Sequence, residues 1–137
     1  MNKIITAIIG SNGYIGKNLS YLLNQKKITN FDYDISNTSE NNWMNYSKLD
    51  VTSKEDFNKI NKNVDVIFFM AGITGTYDGF ESYEKYYNVN VLGLNNLLNH
   101  IKNMEKKPKI IFPSTRLVYR GQEDSLLDEE ALKKPKT

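Results

Sequence analysis

The feature that most constrains the fold is a glycine-rich stretch, GSNGYIG, at residues 10–16. Before it, residues 4–9 form a run rich in β-branched side chains, which predicts a strand buried on both faces of a sheet. After it, residues 13–25 carry apolar side chains at helical spacing. A glycine turn between a strand and a helix collects unpaired N–H groups and the positive end of the helix dipole at one point. The stretch therefore predicts an α/β domain that binds a phosphate-bearing ligand.

Each glycine of this stretch has a physical role in such a turn. Gly10 permits the tight turn off the strand, and Gly13, which has no Cβ, lets a pyrophosphate approach the backbone. Gly16 allows the helix to pack closely on the sheet. The alternative is an ordinary glycine-rich turn, since the spacing is G-x-x-G-x-x-G and not the usual G-x-G-x-x-G. A P-loop is excluded because its first glycine and the Ser or Thr after Lys17 are missing.

The rest of the chain alternates between strand-like and helix-like segments. We predict further strands at residues 28–34, 46–50, 64–70 and 109–113, helices at 53–61 and 81–104, and loops at 36–45 and 72–79. Residues 115–137 show no strong periodicity. Strands separated by helices or long connections imply right-handed crossovers. The pattern predicts a doubly wound parallel sheet of about five strands, with ligands bound at the carboxyl ends of the strands.

Apolar side chains at helical spacing predict which face of each helix packs on the sheet. In the first helix these side chains are Ile15, Leu19, Leu22 and Leu23. In the second, Ser53 is the predicted N-cap, and Phe57 and Ile60 face inward. In the long helix the predicted stripe is Tyr83, Tyr87, Asn90, Leu94, Leu97, Leu98 and Ile101. Asn90 is the one amide in that stripe, which leaves open a satisfied buried amide or a role at the ligand.

Composition excludes several classes of protein. A length of 137 residues suits one domain with its own core. The 18 Lys+Arg and 16 Asp+Glu give a net charge of +2, so the charge balance indicates neither a nucleic-acid nor a membrane surface. With no cysteine and one histidine, we predict no metal site. The chain shows no signal peptide and no run of about 20 apolar residues, so we predict a cytoplasmic protein.

Asp34 ends the second predicted strand, 18 residues after Gly16. A carboxylate at that place can accept hydrogen bonds from both ribose hydroxyls of an adenosine. It would repel a 2′-phosphate, and residues 35–39 contain no Arg or Lys to offset the repulsion. These features favour NAD over NADP. Asp32, two residues earlier on the same face, is the competing candidate, and a turn aspartate without a ligand is the alternative.

With these residues in place, the chain resembles the extended short-chain dehydrogenase/reductases, in particular the NAD-dependent nucleotide-sugar epimerases and dehydratases. The GSNGYIG stretch is similar to the glycine motif of that family. Asp50 and Val51, after the third strand, resemble its adenine-contacting pair. The resemblance runs over essentially the whole chain. It implies that residues 1–137 are an NAD-binding, Rossmann-type domain.

Two later segments extend the resemblance. Ala71 and Gly72, with Thr74 following, are similar to the segment that lines the cofactor in this family. Residues 86–98 resemble the helix in which an asparagine, here Asn90, supports the active site. The NAD-binding residues predicted from the motifs and the resemblance are Gly10, Asn12, Gly13, Tyr14, Ile15, Gly16, Asp34, Asp50, Val51, Met70, Ala71, Gly72, Thr74 and Asn90.

Residues 110–121 resemble the family's fifth strand and its SS-x-x-VYG signature. Counting back from Val118 and Tyr119 places the catalytic Ser/Thr position on Thr115. A hydroxyl there would hydrogen-bond the reacting oxygen of the substrate and stabilise charge on it. A threonine that caps the end of a strand is the alternative. Arg120 stands where the family has glycine, so the sequence does not fix the path of this loop.

The family's general acid/base is a tyrosine in Tyr-x-x-x-Lys, and none of the nine tyrosines here is followed by lysine at that spacing. We therefore expect an incomplete domain, with the later strands and the substrate region outside residues 1–137. The full protein would be an epimerase or dehydratase that acts on a nucleotide sugar, with NAD as a transient hydride acceptor. The alternatives are a non-catalytic NAD-binding module and a remnant that binds nothing. We expect no turnover from these residues alone.

The fifth predicted strand, at residues 109–113, suggests self-association. In a complete doubly wound sheet it would be flanked by a further strand and covered by a helix. Without them, Ile110, Ile111 and Phe112 belong to a strand with an open edge, which favours pairing with another chain. Residues 120–137 carry five acids and three lysines and offer only partial apolar cover. We predict a homodimer or a larger assembly.

Overall fold

The computed structural model describes residues 3–120 and 128–135. In this part of the chain, five parallel strands form one sheet. They are β1 (Ile5–Ile9), β2 (Thr29–Asp34), β3 (Tyr46–Lys48), β4 (Val66–Phe69) and β5 (Lys109–Ile111). Their order is β3-β2-β1-β4-β5, so the chain moves outward from β1 and then crosses back to its other side. The prediction of a doubly wound, Rossmann-like parallel sheet is confirmed.

The central strand β1 sets the register of the sheet. Ile9 pairs with Tyr33 of β2 and with Phe69 of β4, so these strands end level with one another. Strands β3, β4 and β5 are each shorter than predicted. After β3, the Leu49 N–H still donates to the Asp34 carbonyl at 2.7 Å, and the carboxylate of Asp50 accepts the N–H of Thr52 at 2.9 Å in the turn that follows.

The core is built around β1 and β4. Ala7, Ile8 and Ile9 are consecutive and fully buried, so β1 is covered on both faces as its apolar run predicts. The core cluster that contains Ala7 and Ile9 also includes Phe57, Ile60, Val64, Ile67, Phe69, Leu97 and Ile101. The sheet and the segments packed on it therefore hold the carboxyl ends of the strands in fixed positions.

The first helix, α1 (Tyr14–Gln25), uses a different face from the predicted one. Its buried residues are Gly16, Ser20 and Leu23. Ile15 and Leu22 are 58% and 46% exposed, so the prediction that they face inward is wrong. The small residues Gly16 and Ser20 occupy the inward face of α1 with Leu23, and the larger Ile15 and Leu22 lie on the side that faces solvent.

The predicted helix at residues 53–61 is a short 3₁₀ helix, Glu55–Lys59. Its N-cap is Lys54, one residue later than the predicted Ser53, although the Ser53 Oγ accepts the N–H of Asp56 at 3.3 Å. Phe57 and Ile60 are buried, which confirms the inward face.

The predicted long helix at residues 81–104 is divided into several pieces. They are α2 (Thr76–Glu81), α3 (Tyr83–Tyr86), a π-helical segment (Tyr87–Leu92) and α4 (Gly93–Lys102). The predicted loop at 72–79 is therefore helical from Thr76 onward.

This division explains why the predicted inward stripe fails in part. Leu97 and Ile101 are buried, but Tyr83, Tyr87 and Leu98 are 74%, 49% and 47% exposed. A π turn holds more residues than an α turn, so a 3.6-residue period extended back from α4 across the π-helical segment assigns the wrong face to Tyr83 and Tyr87. Leu98 lies after that segment, next to the buried Leu97, so the predicted stripe was one residue too wide there.

Two further features complete the fold. A 3₁₀ turn, Arg116–Val118, follows β5, and Tyr119 forms an antiparallel bridge with Lys133. None of the helices among residues 3–120 and 128–135 combines the length and the apolar character needed to cross a bilayer.

Candidate nucleotide-binding site

A cavity of about 530 Å³ lies at the carboxyl ends of the strands. Four segments line it, and each directly follows one of the strands β1 to β4. The lining residues are Ile9, Gly10, Asn12, Gly13, Asp34, Ile35, Ser36, Glu40, Leu49, Asp50, Val51, Met70, Ala71, Gly72 and Ile73, with Lys85 and Val89 from the helical region. Its volume lies in the range of small-molecule and cofactor sites. Its position, where the chain reverses direction between β1 and β4, is where doubly wound folds bind ligands.

The glycine loop is packed too tightly for side chains at two positions. Gly10 has a φ of 90°, and a Cβ there would lie 2.4 Å from the backbone nitrogen of Ala71. A Cβ on Gly16 would lie 2.1 Å from the carbonyl oxygen of Gly10. Gly16 therefore packs against the loop itself, which refines the prediction that it packs against the sheet.

The N-terminus of α1 suits an anion. Its N-cap residue, Gly13, makes no side-chain capping bond, and the first turn carries no acidic residue. The N–H groups of Gly10 and Ser11 are already used, since both donate to the carbonyl of Tyr33, at 2.8 and 3.1 Å. The start of α1 adjoins the cavity at Gly13, and its first turn carries no carboxylate, so its partial positive charge can attract a bound phosphate.

Of the two candidate aspartates, Asp34 is the one at the cavity. Its Oδ2 accepts the N–H of Asn12 at 3.0 Å, and its Oδ1 accepts the N–H of Ser36 at 3.2 Å. These bonds hold a half-buried carboxylate beside the glycine loop.

Asp32 is used elsewhere. It is 2% exposed and does not line this cavity. Its carboxylate accepts hydrogen bonds from the Ser20 hydroxyl at 2.7 Å and the Asn30 amide at 2.9 Å. Burial raises the pKa of Asp32, and these two hydrogen bonds offset only part of the increase.

The loop between β2 and β3, residues 35–45, closes one side of the cavity. The carboxamide of Asn12 holds it, since Nδ2 donates to the Thr38 carbonyl and Oδ1 accepts the N–H of Glu40, both at 2.9 Å. The Tyr46 hydroxyl donates to the Ser36 carbonyl at 2.7 Å. Burial, with the charge of Asp34 as a second cause, raises the pKa of the Tyr46 phenol, so this donor stays protonated.

The segment after β3 is fixed in a similar way. The N–H of Asp50 donates to Oδ2 of Asp56 at 2.8 Å. This bond is the main reason why the pKa of Asp56 is lowered, and the ion pair with Lys59 adds to it. Val51 is buried and lines the cavity beside Asp50. The two residues therefore present one polar and one apolar surface to a ligand.

The residues predicted for this site fall into two groups. Gly10, Asn12, Gly13, Asp34, Asp50, Val51, Met70, Ala71 and Gly72 line the cavity together. Tyr14, Ile15, Gly16, Thr74, Asn90 and Thr115 do not line it. Tyr14 and Ile15 are 87% and 58% exposed, and Thr74 lines a neighbouring pocket of about 540 Å³ that also contains Ile73 and Lys85.

Thr115, the predicted catalytic residue, lies in the turn that follows β5. It is exposed, and its Oγ1 accepts the N–H of Leu117 at 3.2 Å. This bond is a local capping contact, but it leaves the hydroxyl hydrogen free to donate to a ligand.

Several residues that line the cavity, including Glu40 and Lys85, were not predicted from the sequence. Glu40 lies in a polar loop with no periodicity, and Lys85 lies on a helical stretch whose facing was misassigned. Neither carried a pattern that would have identified it. The missed apolar residues Ile9, Leu49 and Ile73 adjoin predicted ones and could have been found by extending each segment by one position.

Comparison with known proteins agrees with this architecture. The family model described as the NAD dependent epimerase/dehydratase family matches residues 6–137. A UDP-glucose 4-epimerase of Mycoplasma genitalium is 26% identical over 138 aligned positions, which cover 93% of this chain and 41% of that protein.

Solved structures show the same fold. A crystal structure of a UDP-glucose 4-epimerase superposes with a TM-score of 0.81 at 24% identity, covering 96% of this chain and 42% of the other. The UDP-glucose 4-epimerase of Thermus thermophilus, solved as a complex with NAD, gives a TM-score of 0.80 at 20% identity, covering 98% and 45%. The chain thus spans less than half the length of these proteins.

Proposed function

The chain belongs to the NAD-dependent epimerase/dehydratase family, and from this premise we propose that the cavity at the carboxyl ends of its strands binds NAD. One observation carries the proposal. The glycine loop and the carboxylate of Asp34 meet in one cavity and are joined by the hydrogen bond from the Asn12 N–H to Asp34, at 3.0 Å. A dinucleotide needs both an anion site for its pyrophosphate and an acceptor for its ribose hydroxyls.

The residues of the cavity fit the parts of NAD. The uncapped start of α1 would receive the pyrophosphate, and Asp34 would accept hydrogen bonds from the adenosine ribose. Asp50 and Val51 would contact the adenine, and residues 70–73 would line the other half of the cofactor. The remaining predicted residues do not line the cavity and would support the cofactor indirectly, through the residues that do. They are Tyr14, Ile15, Gly16, Thr74 and Asn90.

For the whole protein we propose an epimerase or dehydratase that acts on a nucleotide sugar. NAD, when bound, supplies a reversible hydride acceptor for such chemistry. Thr115 would donate a hydrogen bond to the reacting oxygen of the substrate. The family, and the relative in Mycoplasma genitalium described as a UDP-glucose 4-epimerase, support this proposal. Since residues 1–137 contain no Tyr-x-x-x-Lys, we expect them to bind NAD without turnover.

The test is a calorimetric titration of the chain with NAD and with NADP. We expect NAD to bind more tightly than NADP. Asp34→Asn should weaken NAD binding by about 1–3 kcal/mol, because a charged acceptor of hydrogen bonds is lost. Asparagine keeps the size of the side chain but can accept the N–H of Asn12 or that of Ser36, not both, so the melting temperature of the variant is measured beside its affinity. Glu55→Gln, an exposed carboxylate on the 3₁₀ helix, is the matched control.

The same titration separates the alternatives. Tighter binding of NADP than of NAD would contradict the role of Asp34. A folded chain that binds neither dinucleotide would favour a remnant without a ligand. Turnover of a nucleotide sugar by these residues alone, lost in Thr115→Ala, would show that the Tyr-x-x-x-Lys motif is dispensable here.

A further inference from the structure

We infer that Glu40 is a second determinant of cofactor specificity, which acts with Asp34 to reject a 2′-phosphate. The inference rests on the proposed binding of NAD in the cavity. Glu40 belongs to the loop at residues 35–45 and lines the cavity together with Asp34 and Ser36. A 2′-phosphate on the adenosine ribose would lie beside the ribose hydroxyls that Asp34 is proposed to bind. Two carboxylates at that rim repel it more strongly than one.

The carboxamide of Asn12 fixes the backbone of Glu40 at this rim. Asn12 Oδ1 accepts the Glu40 N–H at 2.9 Å, while Asn12 Nδ2 donates to the Thr38 carbonyl at 2.9 Å. The backbone N–H of the same asparagine donates to Asp34 at 3.0 Å. One residue of the glycine loop therefore places both acidic residues on the same side of the cavity.

Glu40 also engages a lysine that would otherwise attract a phosphate. The ammonium of Lys17 lies 3.9 Å from Glu40 Oε2, and the two side chains are 43% and 59% exposed. Asn41 Nδ2 donates to the Lys17 carbonyl at 3.1 Å, which keeps the loop against the start of α1. The sequence showed no basic residue at positions 35–39, but the fold brings Lys17 to this loop from α1.

A second lysine also reaches the loop. The Lys48 ammonium donates to Asn37 Oδ1 at 3.0 Å. No carboxylate pairs with Lys48 within the described residues. Lys17 is thus the cation whose availability to a ligand depends on Glu40.

The experiment measures the dissociation constants of NAD and NADP for the wild type, Glu40→Gln and Glu40→Gln/Lys17→Met. Glutamine removes the charge but keeps the backbone N–H that Asn12 holds, so the loop stays in place. We expect the ratio of the NADP constant to the NAD constant to fall about two- to fivefold in Glu40→Gln, as for an exposed charge pair. The change should shrink at high ionic strength. Adding Lys17→Met should move the ratio part of the way back toward the wild-type value, because it removes the released cation but does not replace the repulsion by Glu40.

Two results would overturn the inference. The first is an unchanged ratio in Glu40→Gln, and the second is an equal change in the control Glu55→Gln. A lowered ratio that persists in full after Lys17→Met would support the inference and assign the whole effect to direct repulsion by Glu40. The wild-type titration distinguishes these results from a failure of the proposed function, because in that case NAD itself does not bind and both ideas fail together.

Discussion

The carboxamide of Asn90 pairs with both backbone groups of Ile73. Its Oδ1 accepts the Ile73 N–H and its Nδ2 donates to the Ile73 carbonyl, each at 2.9 Å. Ile73 lines the cavity, and Asn90 lies in the π-helical segment behind it. The Asn90 amide thus makes the pair of backbone hydrogen bonds that a neighbouring strand would otherwise make to the segment after β4. The structure thus shows a satisfied amide that supports the cavity wall from behind, and a role of Asn90 at the ligand stays a prediction.

Asn90→Ala should therefore destabilise the chain and loosen the cavity wall. It leaves two part-buried backbone groups without partners, and we expect a loss of about 1–3 kcal/mol in the free energy of unfolding. Urea unfolding measures this loss, and amide hydrogen exchange at Ile73 should accelerate. Asn95→Ala, at an exposed position of α4, is the control. Equal effects of the two substitutions would contradict a specific role for the Asn90 pairing.

Gly16→Ala should strongly destabilise the fold, although it adds only one methyl group. The new Cβ would lie 2.1 Å from the carbonyl oxygen of Gly10, so the loop or the helix must shift. We expect a cost of about 1–3 kcal/mol and weaker NAD binding. Gly79→Ala is a matched control, because its Cβ would meet Tyr86 ring atoms only at 3.7–4.0 Å. Within a helix that change should gain about 0.5–1 kcal/mol. Thermal unfolding of both variants distinguishes close packing from a general effect of losing glycine.

Local sequence patterns account for some parts of this fold, and tertiary contacts account for others. The strands β1 and β4 were predicted because short apolar runs rich in β-branched and aromatic side chains favour buried strands. Asp34 was found because it ends the weaker second strand, 18 residues after Gly16. The facing of Tyr83 and Tyr87 was wrong because a π-helical segment, which no local pattern announces, intervenes. Glu40 was missed because tertiary hydrogen bonds from Asn12, and not its own neighbours, place it at the cavity.

Asp32 should make stability depend on pH in the sense opposite to a typical ion-paired carboxylate. Burial raises its pKa in the native state above the unfolded value, so the native state binds the proton more tightly. This contribution is fully present below the unfolded pKa, about 3.9, and is lost as pH rises through the native pKa.

The comparison of the wild type with Asp32→Asn isolates this contribution. Asp56 and Asp65 have lowered pKa values and give the opposite slope, but they are common to both proteins. Urea unfolding between about pH 4 and pH 7 should show the wild type losing stability relative to Asp32→Asn as pH rises. Parallel profiles would show that Asp32 titrates normally.

His100 should destabilise the chain in mild acid. Its Nε2 is buried without a hydrogen-bond partner among the described residues, and its ring centre lies 6.2 Å from that of Phe57. Burial lowers the pKa of His100, and the charge of Lys62 adds to the shift.

The contribution of His100 to stability is therefore fully present above the unfolded pKa, about 6.5, and is lost as pH falls through the native pKa. His100→Phe cannot take up the proton, so its melting temperature should fall less than that of the wild type between about pH 7.5 and pH 5. An equal fall in both proteins would assign the acid sensitivity to other groups.

The edge strand β5 should mediate self-association. It pairs only with β4 among the described residues. Its last residue, Ile111, is 37% exposed, and Phe112, which follows it, is 51% exposed. The other edge, β3, has the sequence YSK and offers a more polar surface. An open strand edge with exposed apolar side chains favours pairing with a second copy.

Light scattering across a dilution series should show a dimer at high micromolar concentration. Ile111→Lys should shift it toward monomer, since a charged side chain at an edge opposes pairing. Leu22→Lys, on α1 and 46% exposed in the wild type, should leave the association unchanged. A monomer throughout the series, or equal dissociation by both lysine variants, would contradict pairing through β5.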